Sequence, residues 1–292
     1  MSQAIIHDQG YRRFEGERRG VAASMWSLVV HAIQRALGIK RQFRSKVMPL
    51  IVFAIVYLTA VIFVGLAFFL KSFDIGDAGF SYGDFASTSG FAVLLFIAFA
   101  APEVICTDRK SGMLSLYLAS PLTRTTYLAA KALGVFLILL TVTLGPQLVL
   151  LFGYTMAGTG PGGVDKFIEA FVRAVLAGSV GALMPTALSI GISSVTPKRA
   201  FASAGIAVGL LASNGVIHGL TSSEGADIDA RLGVLNLFYV PIELAVRILG
   251  ERNDVAPWNE LATGWLVLAN AVWTLIFGAM AWFAYQRVSV DR

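Results

Sequence analysis

Six stretches of the chain are apolar over nearly their whole length, and polar or glycine-rich segments separate them. They fall at about 48–70, 89–107, 128–156, 170–195, 199–220 and 262–286. A helix rises about 1.5 Å per residue, so roughly 20 apolar residues carry it across the hydrocarbon core of a bilayer. Each stretch is read as a spanning helix. The second is short and holds Pro102 and Glu103 near its end. The third to fifth contain Gly, Pro, Ser and Thr, which membrane helices tolerate and use for close packing.

Two further segments are apolar without spanning. In 22–46, Met25, Leu28, Val29, Ile33 and Leu37 recur at helical spacing, with Arg35, Lys40, Arg41 and Arg44 opposite or following. The pattern predicts an amphipathic helix lying in the interface, with its apolar face in lipid and its cations among headgroups. Packing of that face on a protein partner is the other reading. Segment 232–250 is broken by Pro241 and carries Glu243 and Arg247, which suits an outer helical hairpin or re-entrant element better than a seventh span. The fold class is therefore an all-α polytopic membrane protein. Residues 1–47 form an N-terminal segment with an interfacial helix, and 48–292 form the six-helix transmembrane domain.

Composition agrees. The chain is 56% hydrophobic and 14% charged, against about 25% charged in soluble domains. Charge then orients it. With both termini on one side, that side receives 17 of the 23 Lys/Arg and six of the 18 Asp/Glu. The positive-inside rule puts the termini and the 108–131 loop in the cytoplasm of a cell whose plasma membrane the chain crosses. The excess of cations thus belongs to a lipid surface and not to nucleic acid. Some 47 polar and amphipathic residues precede the first apolar run, which is not the form of a signal peptide. One cysteine, Cys106, excludes an internal disulfide, and it is read as a small apolar residue near a helix end.

The sequence carries no arrangement typical of a membrane enzyme. His7, His31 and His218 are scattered, and no paired carboxylates or nucleophile elbow occur. Segment 158–166, GTGPGGVDK, lacks the Gly-Lys-Ser/Thr of a phosphate loop and is read as an outer turn. Neither a metal nor ATP is expected on this chain. Thr141, Thr143, Gln147, Ser179, Thr186, Ser213, Asn214, Asn270 and Thr274 sit inside spans, where they hydrogen-bond between helices or line a path. Ionisable groups in a membrane are mostly functional. Glu103, one turn inside the second span, is assigned to a structural ion pair with a cation of the 22–46 helix. An ion-coupled transporter, a membrane enzyme, and a scaffold or sensor subunit all stay open at this point.

The segment after the second span is the most informative. Asp108, Arg109 and Lys110 end that span, and Gly112 allows a sharp change of direction. Met113, Leu114, Leu116, Tyr117 and Leu118 then predict a helix too short to span and too apolar for a free loop. Pro121 ends it, because proline disfavours helical geometry in the residue before it. Thr123, Arg124 and Thr125 open the third span, which contains Lys131. An exposed apolar knuckle of this kind marks a docking site.

The run Glu103-x4-Asp108-Arg109-x2-Gly112-x-Leu114-x-Leu116-x-Leu118-Ala119-x-Pro121-Leu122, with Arg124 and Lys131 after it, resembles permeases of the type-2 exporter class of ABC transporters. Met113 departs from the family pattern, which commonly has Thr or another residue after the glycine. The resemblance implies six spans, cytoplasmic termini, and a coupling helix within 108–124. It implies a separate cytoplasmic ABC ATPase, in two copies, that binds ATP and Mg and presses on Asp108, Arg109, Gly112, Met113, Leu114, Leu116, Tyr117, Leu118 and Pro121. It also implies a second permease copy or a sister permease, with the path along their interface.

Overall fold

A computed structural model describes residues 20–39, 43–73, 81–118, 122–221, 229–253 and 257–287. Among them there are helices and turns and no strand. The helices are α1 (Val21–Ala36), α2 (Arg44–Ser72), α3 (Tyr82–Lys110), α4 (Met113–Leu118), α5 (Arg124–Ala157), α6 (Val164–Val195), α7 (Arg199–Thr221), α8 (Tyr239–Ile248) and α9 (Thr263–Gln286). A 3₁₀ turn, Ala230–Leu235, precedes α8. Six of the helices, α2, α3, α5, α6, α7 and α9, are long and apolar enough to cross a membrane.

Spans two, three and four are longer than their apolar runs. Span two starts at Tyr82 because Ser81 and Asp84 form a capping box. The Ser81 hydroxyl accepts from the Asp84 N–H at 3.0 Å, and the Ser81 N–H donates to the Asp84 carboxylate at 3.1 Å. This arrangement satisfies amides that the first turn leaves without partners. Thr123 and Thr126 cap α5 in the same way. Gly158 closes α5 with φ 69°, a left-handed turn that glycine adopts without strain.

α3 is the most enclosed span, packing against α1, α2, α5, α6, α7 and α8. In contrast, α2, α7 and α9 leave most of their apolar surface outward. Small residues let the backbones approach. A Cβ on Gly134 would stand 2.7 Å from the Ala32 Cβ, and one on Gly178 would stand 2.8 Å from the Leu144 Cβ. Helices associate in lipid through such close contacts, since lipid tails are as apolar as leucine.

The apolar stripe of α1 differs from its expected role. Leu28, Val29, Ala32 and Ala36 are buried against α5 and α3, so this face meets protein and not lipid. The missing side chain at Gly134 is what admits it. Lys40 and Arg41 lie outside the described residues, as does His7.

At the end opposite α4, segment 232–250 makes the 3₁₀ turn and the ten-residue α8, neither of spanning length. Glu243 and Arg247, which weigh against a seventh span, form a buried pair at 2.9 Å. The Arg247 guanidinium also donates to the carbonyls of Leu261 at 2.6 Å and Trp258 at 2.5 Å. Asn253 donates to the other Glu243 oxygen at 2.8 Å. A second apolar cluster lies under this cap, with Val240, Leu244, Trp258, Leu261 and Leu266 at its centre.

If Gly134 sets the seat of α1, Gly134→Val should overpack it at about 1–3 kcal/mol. Limited proteolysis in detergent micelles should then cut within α1 much faster than in the native chain. Gly209→Val, where a Cβ meets nothing within 4 Å, should cut at the native rate. Equal rates in the two variants would show that the close approach is unimportant.

Candidate functional site at the α3–α4–α5 turn

α3 ends at Lys110, and Gly112 reverses the chain with φ 65°. The six-residue α4 follows. Arg109 and Lys110 place positive charge in the last turn of α3, where it complements the carbonyl end of the helix dipole. The Arg109 guanidinium donates to the Ser194 carbonyl at the end of α6. Arg124, the first residue of α5, donates to the Gln286 carbonyl at 2.6 Å and so ties α5 to the end of α9. Cys106 is buried, and its thiol donates to the Ser193 carbonyl at 3.4 Å.

The short helix has two faces. Leu116 is 64% exposed and points outward. Tyr117 turns inward, its ring 5.5 Å from that of Tyr127 on α5. Tyr117 thus anchors α4 and does not belong to an outward apolar face. Met113 is partly exposed. The side chains of Leu114 and Leu118, and the whole of Pro121, lie outside the described residues.

Behind α4 sits a buried charge cluster. Asp108 is 1% exposed, and so differs from a solvent-facing charge at the mouth of a loop. Its carboxylate pairs with Arg35 of α1 and with the Lys131 ammonium at 2.7 Å, and it accepts from the Tyr127 hydroxyl at 2.8 Å. Lys131 is fully buried and lies 5.6 Å from the ring centroids of both Tyr117 and Tyr127, within cation–π range. Three helices, α1, α3 and α5, therefore meet at one carboxylate, and α4 stands on the aromatic side of it. Ions buried this way are tolerated only when paired and hydrogen-bonded. The sequence singles out Asp108 and Lys131 without joining them. Their separation of 23 positions, across a reversal, leaves no local signal.

Glu103 pairs with Arg199, the first residue of α7. Of the cations in 22–46, Arg35 goes to Asp108, and Lys40, Arg41 and the side chain of Arg44 lie outside the described residues. Most of the polar residues inside the spans bond back to their own helix. Thr141, Ser179, Thr186, Ser213 and Thr274 donate to carbonyls three or four residues earlier. Thr143 reaches across to the Gly178 carbonyl at 2.8 Å, Asn236 donates to Asn214 at 3.0 Å, and Asn270 points to the Met184 sulfur. Among the described residues, no group of three His, Cys, Asp or Glu side chains is placed to hold a metal ion.

His31 on α1 lies near this cluster. His31 is exposed at the surface of α1, and its partial desolvation first, and the Lys131 charge second, hold its imidazole below the usual value, against an opposing pull from Asp108. Burial, then Asp108, pushes the Tyr117 phenol up. Because folded His31 takes its proton at lower pH than the unfolded chain does, its contribution is full above the ordinary value. It declines as pH falls through that value.

Two outcomes are expected. Asp108→Asn strands two cations and should cost about 3–5 kcal/mol, whereas Lys131→Met leaves Arg35 on the carboxylate and should cost less. Thermal unfolding in micelles measures both, and equal losses would contradict the shared-carboxylate arrangement. Deuterium exchange of α1, corrected for the intrinsic pH dependence of amide exchange, should show protection that falls between about pH 7.5 and 5.5 in the native chain, and falls less in His31→Gln. Identical pH profiles would remove His31 from that dependence.

The family model described as "ABC-2 family transporter protein" matches residues 70–283. No curated protein matches the chain. The matched segment runs from the end of α2 into α9 and contains the whole α3–α4–α5 turn, while α1 and most of α2 precede it. Permeases of this family are membrane components that normally work with an ABC ATPase subunit. With six helices fit to cross a bilayer and a match over most of its length, this multi-pass membrane protein belongs to the ABC-2 family of transporter proteins, in the permease role.

Proposed function

We propose that the chain is one half of the translocation unit of an ATP-driven exporter, and that a separate ATPase subunit moves it by pressing on α4. The observation that carries this reading is the construction of α4. Leu116 faces outward on a helix that the reversal at Gly112 holds against the end of α3, while Tyr117 packs the same helix onto Tyr127 and Lys131. A push on Leu116 therefore reaches Asp108, and through it α1, α3 and α5. α4 lies at the end where the cations concentrate, which supports a cytoplasmic position for it and for both termini. ATP and Mg belong to the partner subunit, in two copies, at the face of the plasma membrane.

In this reading Asp108 and Arg109 act through the interior and not by touching the partner. Asp108 joins α1 to α5, and Arg109 joins α3 to α6. Residues 1–47 work with the domain through α1, whose buried stripe makes it part of the moving body. The outward apolar faces of α2, α7 and α9 support pairing with a second permease copy or a sister permease, with lipid on what remains. Coupling needs two states of the bundle that bind the ATPase differently.

Leu116→Asp should weaken capture of an ATPase subunit by at least about tenfold, because it replaces an apolar anchor with a charge. The readout is co-purification of a Walker-A-containing subunit with the tagged permease from membranes, with insertion checked by membrane extraction. Unchanged co-purification would sink the α4 assignment.

A further inference from the structure

Between α1, α2, α3 and α7, at the α4 end, lies a cavity of about 220 Å³. Its two ends differ in chemistry. At one end it is lined by the Arg199–Glu103 pair and by Arg35, whose guanidinium also holds Asp108. At the other, Val52, Leu95, Phe96 and Phe99 form an apolar wall. Along α3, Glu103 and Leu95 are about 12 Å apart at 1.5 Å per residue. The charged end therefore sits toward the start of α7, and the apolar end sits deeper among the spans.

We propose that this cavity binds an anionic amphiphile, with its phosphate or carboxylate between Arg35 and Arg199 and its apolar part along α2 and α3. Each guanidinium has five N–H donors, so pairing with Asp108 or Glu103 leaves donors for a further anion. The charge balance favours that anion, because among the described residues Arg35, Lys131 and Arg199 stand against Asp108 and Glu103. Arginine is also the side chain best shaped for two-pronged contact with phosphate or carboxylate. Arg199 is 53% exposed, so a headgroup can enter past it without opening the core. The volume is below the roughly 300–1,000 Å³ of sites that enclose a whole small molecule. It suits a headgroup and its first methylenes, with the rest of the tail along the neighbouring lipid.

The site rests on the membrane-spanning fold and does not require the ATPase, so it is tested on the permease alone. The full-length chain, delipidated in a neutral detergent, is titrated with phosphatidylglycerol or phosphatidylcholine and read by native mass spectrometry. Phosphatidylglycerol should bind about tenfold more tightly, the scale of one charge-assisted contact. Arg199→Gln should abolish that preference. Glu103→Gln removes the competing carboxylate and should strengthen phosphatidylglycerol binding, a gain that damage to the fold would not produce. Ala100→Phe fills the cavity with every charge retained and should weaken binding of the anionic lipid. Equal affinity for the two lipids overturns the proposal. So does a shift of the same sign in Arg199→Gln and Glu103→Gln, or native affinity in Ala100→Phe. In the assembled transporter, stimulation of ATP hydrolysis by phosphatidylglycerol over phosphatidylcholine identifies the occupant as cargo. Binding without stimulation identifies it as a bilayer lipid, and either result retains the site.

Discussion

The carboxylate of Asp108 is the point on which the α4 end depends. It is buried with two cations and a phenol on it, and those partners come from three different helices. Coulomb attraction in such surroundings is strong, but the desolvation of each ion is comparably costly, so the net gain in stability is small. What the arrangement supplies is specificity of position. Lys131 is fully buried, and a shift of α3 relative to α5 leaves a bare charge in an apolar interior. Helices held this way resist partial rearrangement and move together.

In the proposed function, that property is what lets a six-residue helix transmit force. α4 is far too short to be stable alone, since isolated helices below about 12–15 residues are marginal in water. Its rigidity is borrowed from the end of α3, from the reversal at Gly112 and from the Tyr117–Tyr127 contact. The opposite end uses the same device. Arg247 gathers Glu243, the carbonyls of Trp258 and Leu261 and the Thr263 hydroxyl, and so fixes a short helix over the ends of α6 and α9. Each end of the bundle is organised around a buried ion pair that a short helix either leans on or contains.

The anionic-amphiphile cavity adjoins the first of these, at the α4 end. Glu103 and Arg199 close one side of it, and Arg35 belongs to both the cavity and the Asp108 cluster. An occupant that draws Arg35 or Arg199 toward itself therefore alters the charge balance behind α4. The cavity and the α4 face share a side chain, Arg35, so they are in physical contact as well as near each other.

The number and type of helices were legible in the sequence because membrane insertion is decided by local hydropathy over about 20 residues. The reversal at Gly112, the short helix after it and the polar break at Pro241 were legible for a similar reason, as each depends on neighbours in the chain. The start of α3 at Tyr82, seven residues before the apolar run read from 89, has its own local signal in Ser81 and Asp84 at capping-box spacing, which hydropathy does not register. The family-like order of residues from Glu103 to Leu122 carried the functional reading. Only the tertiary structure decided which charges meet. Arg35 and Asp108 are 73 positions apart, and Glu103 meets Arg199 at the start of another span. It also turned the apolar stripe of α1 onto protein and Tyr117 inward. Pairing of this kind depends on which helix lies beside which, and glycines such as Gly134 set that by allowing two backbones to touch. Local composition states that a helix has a charge and an oily face, and only packing determines what each of them faces.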